Sequence, residues 1–226
     1  MRFSVVMTCW GKLESVTSKC LPSFYQRPAG DWELIVVDNA SPDDTAAWLF
    51  QQQQEHPEVP LRVIELSGNL GYAGGLNAGL DAANGEYIVC LNNDIICHHP
   101  KWLEVLFAPI EENPKRMVGP RLIVDNAMTD VGAGPVPYLE GWMIGATREF
   151  WEEMGGWDSE LAPIAWFEDV DLSWRAVGAG YELYPAPDVP VFHMAGRTAY
   201  RSGLDFHQIT RENKARFSEK FWEAYE

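Results

Sequence analysis

The stretch YIVCLNND, residues 87–94, decides how the chain is read. Four apolar residues around Cys90 form a buried strand, and Asn92, Asn93 and Asp94 follow at its carboxyl end. Burying such groups without partners is costly, so something is expected to meet them there. Upstream, the same pattern occurs three more times. FSVVMT (3–8), ELIVVD (33–38) and LRVIEL (61–66) are β-rich runs, and each leads into a helical pattern. The first helix runs through Leu13, Val16, Cys20 and Phe24. The second, SPDDTAAWLFQQQQ, has Ser41 as its expected N-cap and Pro42 at its first position. YAGGLNAGLDAA is a short glycine-containing helix, and KWLEVLFAPIEE follows the fourth strand. Strands joined by helices of this length imply parallel βαβ units with right-handed crossovers.

After about Met117 the alternation breaks down. MVGPRLIVD, MTDVG and YLEGWMIGA read as short strands with turns, REFWEEMGGWD as a helix ended by Gly155 and Gly156, and FEDVDLSWRAVGAG as a further helix. VPVFHM (189–194) is the last strand. In the tail, Phe206, Ile209, Asn213, Phe217, Phe221 and Tyr225 share one mostly apolar face of a helix. That face is expected to pack on the domain or to join two copies as a homodimer.

Composition narrows the partners. The 226 residues carry 17 Lys+Arg against 33 Asp+Glu, a formal charge of −16, which repels a phosphate backbone or an anionic bilayer. Nucleic acid is therefore not an expected partner. The four cysteines show no zinc-ligand spacing and read as reduced core residues. The amino-terminal apolar run is too short for a signal peptide, and no apolar stretch reaches 18 residues, so no membrane insertion and a cytoplasmic location are expected. The initiating Met1 reads as a true N-terminus.

In open parallel sheets, ligands bind beyond the carboxyl ends of the strands. Here those ends carry Thr8-Cys9-Trp10, Asp38-Asn39, Ser67-Gly68-Asn69 and Asn92-Asn93-Asp94. No glycine-rich G-x-G-x-x-G follows the first strand and no G-x-x-x-x-G-K-[ST] occurs, which disfavours a dinucleotide dehydrogenase and a P-loop enzyme.

Taken in order, VVDNASPDDT, GNLGYAGGLNAGLDAANGEYIVCLNND and GWDSELAPIAWFEDVDLSWRAVGAGYELYPAPDVPVFH resemble the family 2 glycosyltransferases of GT-A fold. The closest likeness is to the rhamnosyltransferase-like branch that builds bacterial and viral surface polysaccharides. The resemblance runs from about residue 3 to residue 197 and leaves the C-terminal helix outside. It implies an α/β domain with a mostly parallel central sheet flanked by helices and a mixed acceptor-side half. A single catalytic domain is expected over 1–203, with a nucleotide-sugar half (1–116) and an acceptor half (117–203), followed by an amphipathic helix over 204–226.

The resemblance also implies roles for single residues. Asp38 would hydrogen-bond the base of the donor, with Thr8 and Trp10 flanking it; a cap before NASPDD is the plainer role for Asp38. Gly74 and Gly75 would let a helix start approach the nucleotide, where backbone N–H groups favour anions, or would serve tight packing of helix on strand. Asn69 and Asn77 are candidate polar contacts. NND stands where the family has a D-x-D-type motif, so Asp94 is its one carboxylate and the implied metal ligand, with Asn92 and Asn93 beside the donor. His193 matches a second metal ligand. One carboxylate, phosphate oxygens and water suit Mg²⁺ or Mn²⁺.

FEDVDLSWR offers the acids for proton transfer. Asp171 has an i, i+4 partner in Arg175, whereas Glu168 and Asp169 lie at the helix start. The matching family base is Asp169, with Glu168 contacting the acceptor; both would otherwise be first-turn acids complementing the helix dipole. Trp142, with Trp157 and Trp166, would line an acceptor site or fill core. The expected activity is metal-dependent, inverting transfer from a UDP- or dTDP-linked sugar to a saccharide or glycoconjugate hydroxyl. Three alternatives are a sugar-nucleotide pyrophosphorylase, for which TCWGKLES is too poor in Gly and Lys, a non-catalytic sugar-nucleotide-binding module, and a transferase acting on a modified nucleic-acid base.

Overall fold

A computed structural model describes residues 2–194 and 205–225. Four runs form the expected parallel strands: β1 (Phe3–Cys9), β2 (Trp32–Asp38), β3 (Leu61–Glu65) and β4 (Tyr87–Asn92). Both β1 and β2 are buried along their whole length. Side chains of β1 alternate between two cores. Phe3, Val5, Met7 and Cys9 face one, and Val6 faces the other, as the period-2 geometry of a doubly covered strand requires. Between β1 and β2 the helical segment is not one helix. It passes through wide and tight turns on either side of a short α1 (Ser18–Cys20), with Pro22 inside the last turn.

The helix after β2, α2, spans Thr45–Glu55 and starts later than expected. Ser41 does not cap it. The Ser41 hydroxyl instead accepts from Gly11 N–H at 2.7 Å, while Asp43 takes the Thr45 N–H at 3.2 Å. Helices α3 (Gly71–Ala82) and α4 (Trp102–Glu112) cover opposite faces of the sheet: Ala73 and Leu76 lie in one core, Trp102, Leu103, Leu106, Phe107 and Ile110 in the other.

In the second half the sheet becomes mixed. After β5 (Ile95–Cys97) come β6 (Arg116–Gly119), β7 (Leu122–Ile123), β8 (Tyr138–Leu139) and β9 (Met143–Thr147). The run YLEGWMIGA is broken into β8 and β9 by a turn over residues 140–142. MTDVG is not a strand: Ala127–Thr129 forms a single tight turn capped by Asn126. Strand β9 inserts antiparallel between β4 and β6. Helices α5 (Arg148–Met154) and α6 (Glu168–Gly178) precede β10 (Glu182–Pro185), which pairs parallel with β6 and was not read in the sequence. The seven-stranded order is β10-β6-β9-β4-β1-β2-β3. Strand β11 (Val191–His193) stays out of that sheet and pairs antiparallel with β5.

The last helix, α7 (Phe206–Glu223), packs on its own chain. Phe217 and Phe221 join Val131, Val136, Leu161, Phe167 and Val170 in a third core. Lys220 bridges Asp158 and Asp171. Phe217 is fully buried within the chain, so the apolar face packs on the domain, the first of the two roles expected for it, and nothing supports its use in a homodimer. The expected boundary at 203/204 lies outside the described residues. All four cysteines are buried and unpaired. Among the described residues no helix is long and apolar enough to cross a membrane.

Candidate active site

A cavity of about 580 Å³ opens at the carboxyl ends of β1 and β4. It brings together most of the residues singled out above: Thr8, Trp10, Asn69, Asn92, Asn93, Asp94, Trp142, Glu168, Asp169 and His193 all line it.

The first wall forms around Asp94. This residue sits between β4 and β5, and β11 runs antiparallel to β5 with His193 opposite Ile95, which sets the imidazole beside the carboxylate. Asp94 Oδ1 lies 3.1 Å from His193 Nε2. The pair lacks hydrogen-bond geometry, and this buried oxygen has no other partner. A buried carboxylate oxygen left this way, next to an imidazole nitrogen, would suit a divalent cation, Mn²⁺ better than the harder Mg²⁺ because of the imidazole. Among the described residues no third His, Cys, Asp or Glu completes a metal cluster. Trp142 stacks on His193 with ring centroids 4.6 Å apart, so it orients the imidazole as well as walling the cavity. Asn92 Nδ2 lies 3.5 Å from His193 Nε2, and Asn93 is anchored away from the cavity centre by donating to Thr17 Oγ1 at 3.0 Å.

The opposite wall is the start of α6. Glu168 is buried, and its Oε2 has no partner. Asp169 is half-buried; its Oδ2 accepts from Gly141 N–H at 3.0 Å and its Oδ1 from Val170 N–H at 2.9 Å. Burial raises both carboxyls above the ordinary carboxylate range, and the Asp169 charge raises Glu168 further. Asp171, by contrast, points away from the cavity and is clasped by Arg175 Nε at 2.7 Å and by Lys220.

At the ends of β1 and β2, two more buried oxygens are unpartnered, Thr8 Oγ1 and Asp38 Oδ1. The other Asp38 oxygen takes Ser41 N–H at 3.1 Å, so this residue both caps the turn and keeps one oxygen uncommitted. Asp38 does not itself line the cavity.

Three further residues take structural places. Asn77 is occupied on both ends by the backbone of Trp157, accepting from its N–H at 2.9 Å and donating to its carbonyl at 2.8 Å. At Gly75 a Cβ would lie 2.4 Å from Thr8 Oγ1, and at Gly74 2.7 Å from Leu70 Cβ, so both glycines serve close packing of α3. Of the tryptophans, Trp166 lines the cavity and Trp157 lies in the core.

Several site residues escaped the sequence reading. Asn39 donates to Asn69 Oδ1 at 3.1 Å and to the Gly71 carbonyl at 2.8 Å, and accepts from Leu70 N–H, which shapes the loop before α3. Tyr72 donates to the Gly141 carbonyl at 3.0 Å. The turn Glu140–Trp142 closes the cavity floor; its polar and glycine composition inside an apolar run was the available signal.

These features define a nucleotide-sugar-transferase type of fold, and comparison with known proteins agrees. The model of Glycosyl transferase family 2 matches residues 4–155, and the chain belongs to that family. The match ends before Glu168, Asp169 and His193. A poly-beta-1,6-N-acetyl-D-glucosamine synthase of Staphylococcus epidermidis is 23% identical over 205 residues, which cover 81% of this chain and 48% of that protein. The chain thus spans about half the length of the curated relatives it matches. Among solved structures, the mannosyltransferase PcManGT of Pyrobaculum calidifontis, in complex with GDP-Man and Mn²⁺, superposes with a TM-score of 0.68 at 20% identity, over 83% of this chain and 55% of that one. TarS 1–349 of S. aureus in complex with UDP-GlcNAc gives 0.65 at 19% identity, over 96% of this chain and 66% of that one. At these identities the likeness shows the GT-A fold. The rhamnosyltransferase-like branch has no specific support among these relatives.

Proposed function

We propose that the chain carries out inverting transfer of a sugar from a nucleoside-diphosphate sugar to a hydroxyl of a saccharide acceptor in glycan synthesis. The observation that carries this reading is a single cavity with an uncommitted Asp94–His193 pair on one wall and the acids Glu168 (buried) and Asp169 (half-buried) on the other. The donor's base would lie over Thr8, whose unpartnered Oγ1 suits the imino N–H of uracil or thymine, with the unpartnered Oδ1 of Asp38 buried beside the cavity and reached only if donor binding shifts the end of β2. UDP-N-acetylglucosamine is the first candidate, because the synthase and TarS relatives are named for, or bound to, that sugar. Held by Asp94 and His193, a divalent cation would supply positive charge beside the leaving diphosphate.

Asp169 is fixed by two backbone N–H groups and takes the proton of the acceptor hydroxyl. The acceptor oxygen forms its bond to the anomeric carbon while the bond to the diphosphate oxygen breaks on the opposite face, which inverts the centre. Glu168, with its carboxyl raised by burial, holds its proton and donates a hydrogen bond to a neighbouring acceptor oxygen. The carboxylates of Asp94, Glu140 and Asp169 lining the cavity favour an uncharged acceptor over an anionic one.

Calorimetric titration of UDP, dTDP and GDP, each with and without Mn²⁺, on the wild type and on Asp94→Ala tests the reading. Metal-dependent binding of one nucleotide, lost in the variant, is expected. Binding of none, with or without metal, would exclude it.

A further inference from the structure

The acid pair is preceded by an unusual piece of backbone. Trp166 and Phe167 both have positive φ, 70° and 73°, a conformation that costs a bulky residue about 1–3 kcal/mol and persists only where its surroundings impose it. The next two residues are Glu168 and Asp169. Residues 163–166 all line the cavity, so this strap is at once the cavity wall and the lead-in to the acids.

The strap is pinned on two sides. Toward the donor half it lies flush on the start of α3: Tyr72 N–H donates to the Ile164 carbonyl at 2.8 Å, and a Cβ at Gly71 would stand 2.0 Å from the Pro163 carbonyl oxygen. Toward the C-terminus it is held by Asn213 of α7. This side chain is 1% exposed, and its Nδ2 donates to the carbonyls of Ala165 and Trp166, both at 2.9 Å. Arg216 Nη1 donates to Asn213 Oδ1 at 2.8 Å, which fixes the amide orientation, since a flipped amide would oppose oxygen to two carbonyls. Phe217, one turn on, packs against Phe167.

We infer that Asn213, outside the cavity and on a helix beyond the family match, is a positioning residue that sets the left-handed strap and thereby aims Glu168 and Asp169 at the acceptor. The inference rests on the role proposed above for those two acids. Anchorage of α7 alone would not need this geometry. Lys220, bonded to Asp158 and Asp171, and the Phe217–Phe221 contacts already dock the helix. Asn213 spends both donor hydrogens on the two carbonyls that flank the first left-handed residue.

The test compares Asn213→Ala, Asn213→Ser and Trp222→Ala in the full chain. Trp222, 46% exposed on the same helix, bonds the Val131 carbonyl and does not touch the strap. Three quantities are read: Mn²⁺-dependent release of UDP from UDP-N-acetylglucosamine with water as acceptor, hydrogen exchange of amides 164–169, and the thermal midpoint. Asn213→Ala is expected to lower kcat roughly tenfold or more with KM for the donor nearly unchanged, because misplacing a catalytic group by about 1 Å costs that much. Exchange across the strap should quicken, and Asn213→Ser, which keeps one donor, should fall between. Trp222→Ala should lower the midpoint and leave kcat alone. A wild-type kcat in Asn213→Ala, or an equal kcat loss in Trp222→Ala, would overturn the inference. Should the wild type itself release no UDP, the reading of the acids fails, and exchange alone decides: an unchanged strap in the soluble variant, Ala or Ser, would overturn the role of Asn213.

Discussion

Asp94→Asn should make the protein more stable and useless as a transferase. Asp94 is 3% exposed, and one of its oxygens has no hydrogen-bond partner, only His193 Nε2 at 3.1 Å. Leaving an acceptor buried and unsatisfied costs about 1–3 kcal/mol, and more when it is charged, whereas a neutral amide of the same shape costs less. In EDTA at pH 8 the variant should therefore gain about 1–2 kcal/mol, which moves the midpoint of a chain this size up by about 2–4 °C per kcal/mol. With Mn²⁺ and UDP-N-acetylglucosamine the order should reverse. A ligand at 100 times its Kd adds about 2.7 kcal/mol to the wild type and nothing to a variant that does not bind it. Urea unfolding under both conditions measures the four values. A variant less stable than the wild type in EDTA would refute the reasoning, since Asp94 would then be a satisfied cap at the end of β4.

Other perturbations separate structural from chemical roles. Burial pushes Glu168 up to about 8 and Asp169 to about 6, so the folded chain holds protons that the unfolded chain has released; stability should fall as pH rises from about 4 to about 8, and Glu168→Gln should flatten that slope in urea midpoints. Gly75→Ala puts a Cβ 2.4 Å from Thr8 Oγ1 and 3.1 Å from Asn39 Nδ2, and should cost about 1–3 kcal/mol by prising α3 from β1, measured by denaturant midpoint. Gly141→Ala, whose Cβ would stand 2.9 Å from Asp169 Cβ, should instead lower UDP release with a smaller loss of stability.

What the sequence could reveal followed from local physics. Strands β1, β2 and β4 are mostly apolar runs leading into polar groups, and both features are written in neighbouring residues. The direction of β9 is not. MIGAT is apolar whichever way it runs, and only its place between β4 and β6 makes it antiparallel. Ser41 satisfied the local rule for an N-cap, yet a tertiary demand, the N–H of Gly11, claimed its hydroxyl. Asn213 was legible in part: a lone amide on an otherwise apolar helix face must find partners when buried. Which partners, and that they would be the carbonyls of a left-handed strap, depends on a contact across 47 and 48 residues.

The two walls of the cavity treat their acids differently, and the turn at residues 140–142 ties them together. Environment sets the contrast: Asp94 faces a ligand-type nitrogen, whereas Glu168 and Asp169 sit where burial favours the protonated form. Within the turn, Gly141 N–H holds Asp169 while its carbonyl takes the hydroxyl of Tyr72 from α3, and the ring of Trp142 lies on His193. Glu140 accepts from Trp142 Nε1 at 3.3 Å and pairs with Arg121, which steadies the same ring from behind. Two consecutive residues, Gly141 and Trp142, thus contact the proposed base, the helix over the donor and the proposed metal ligand, and Glu140 backs the second of them. An antiparallel β9 is what makes this possible, because reversing that strand beside β4 brings the residues just ahead of it to the carboxyl end of the parallel strands, where Asn92, Asn93 and Asp94 emerge.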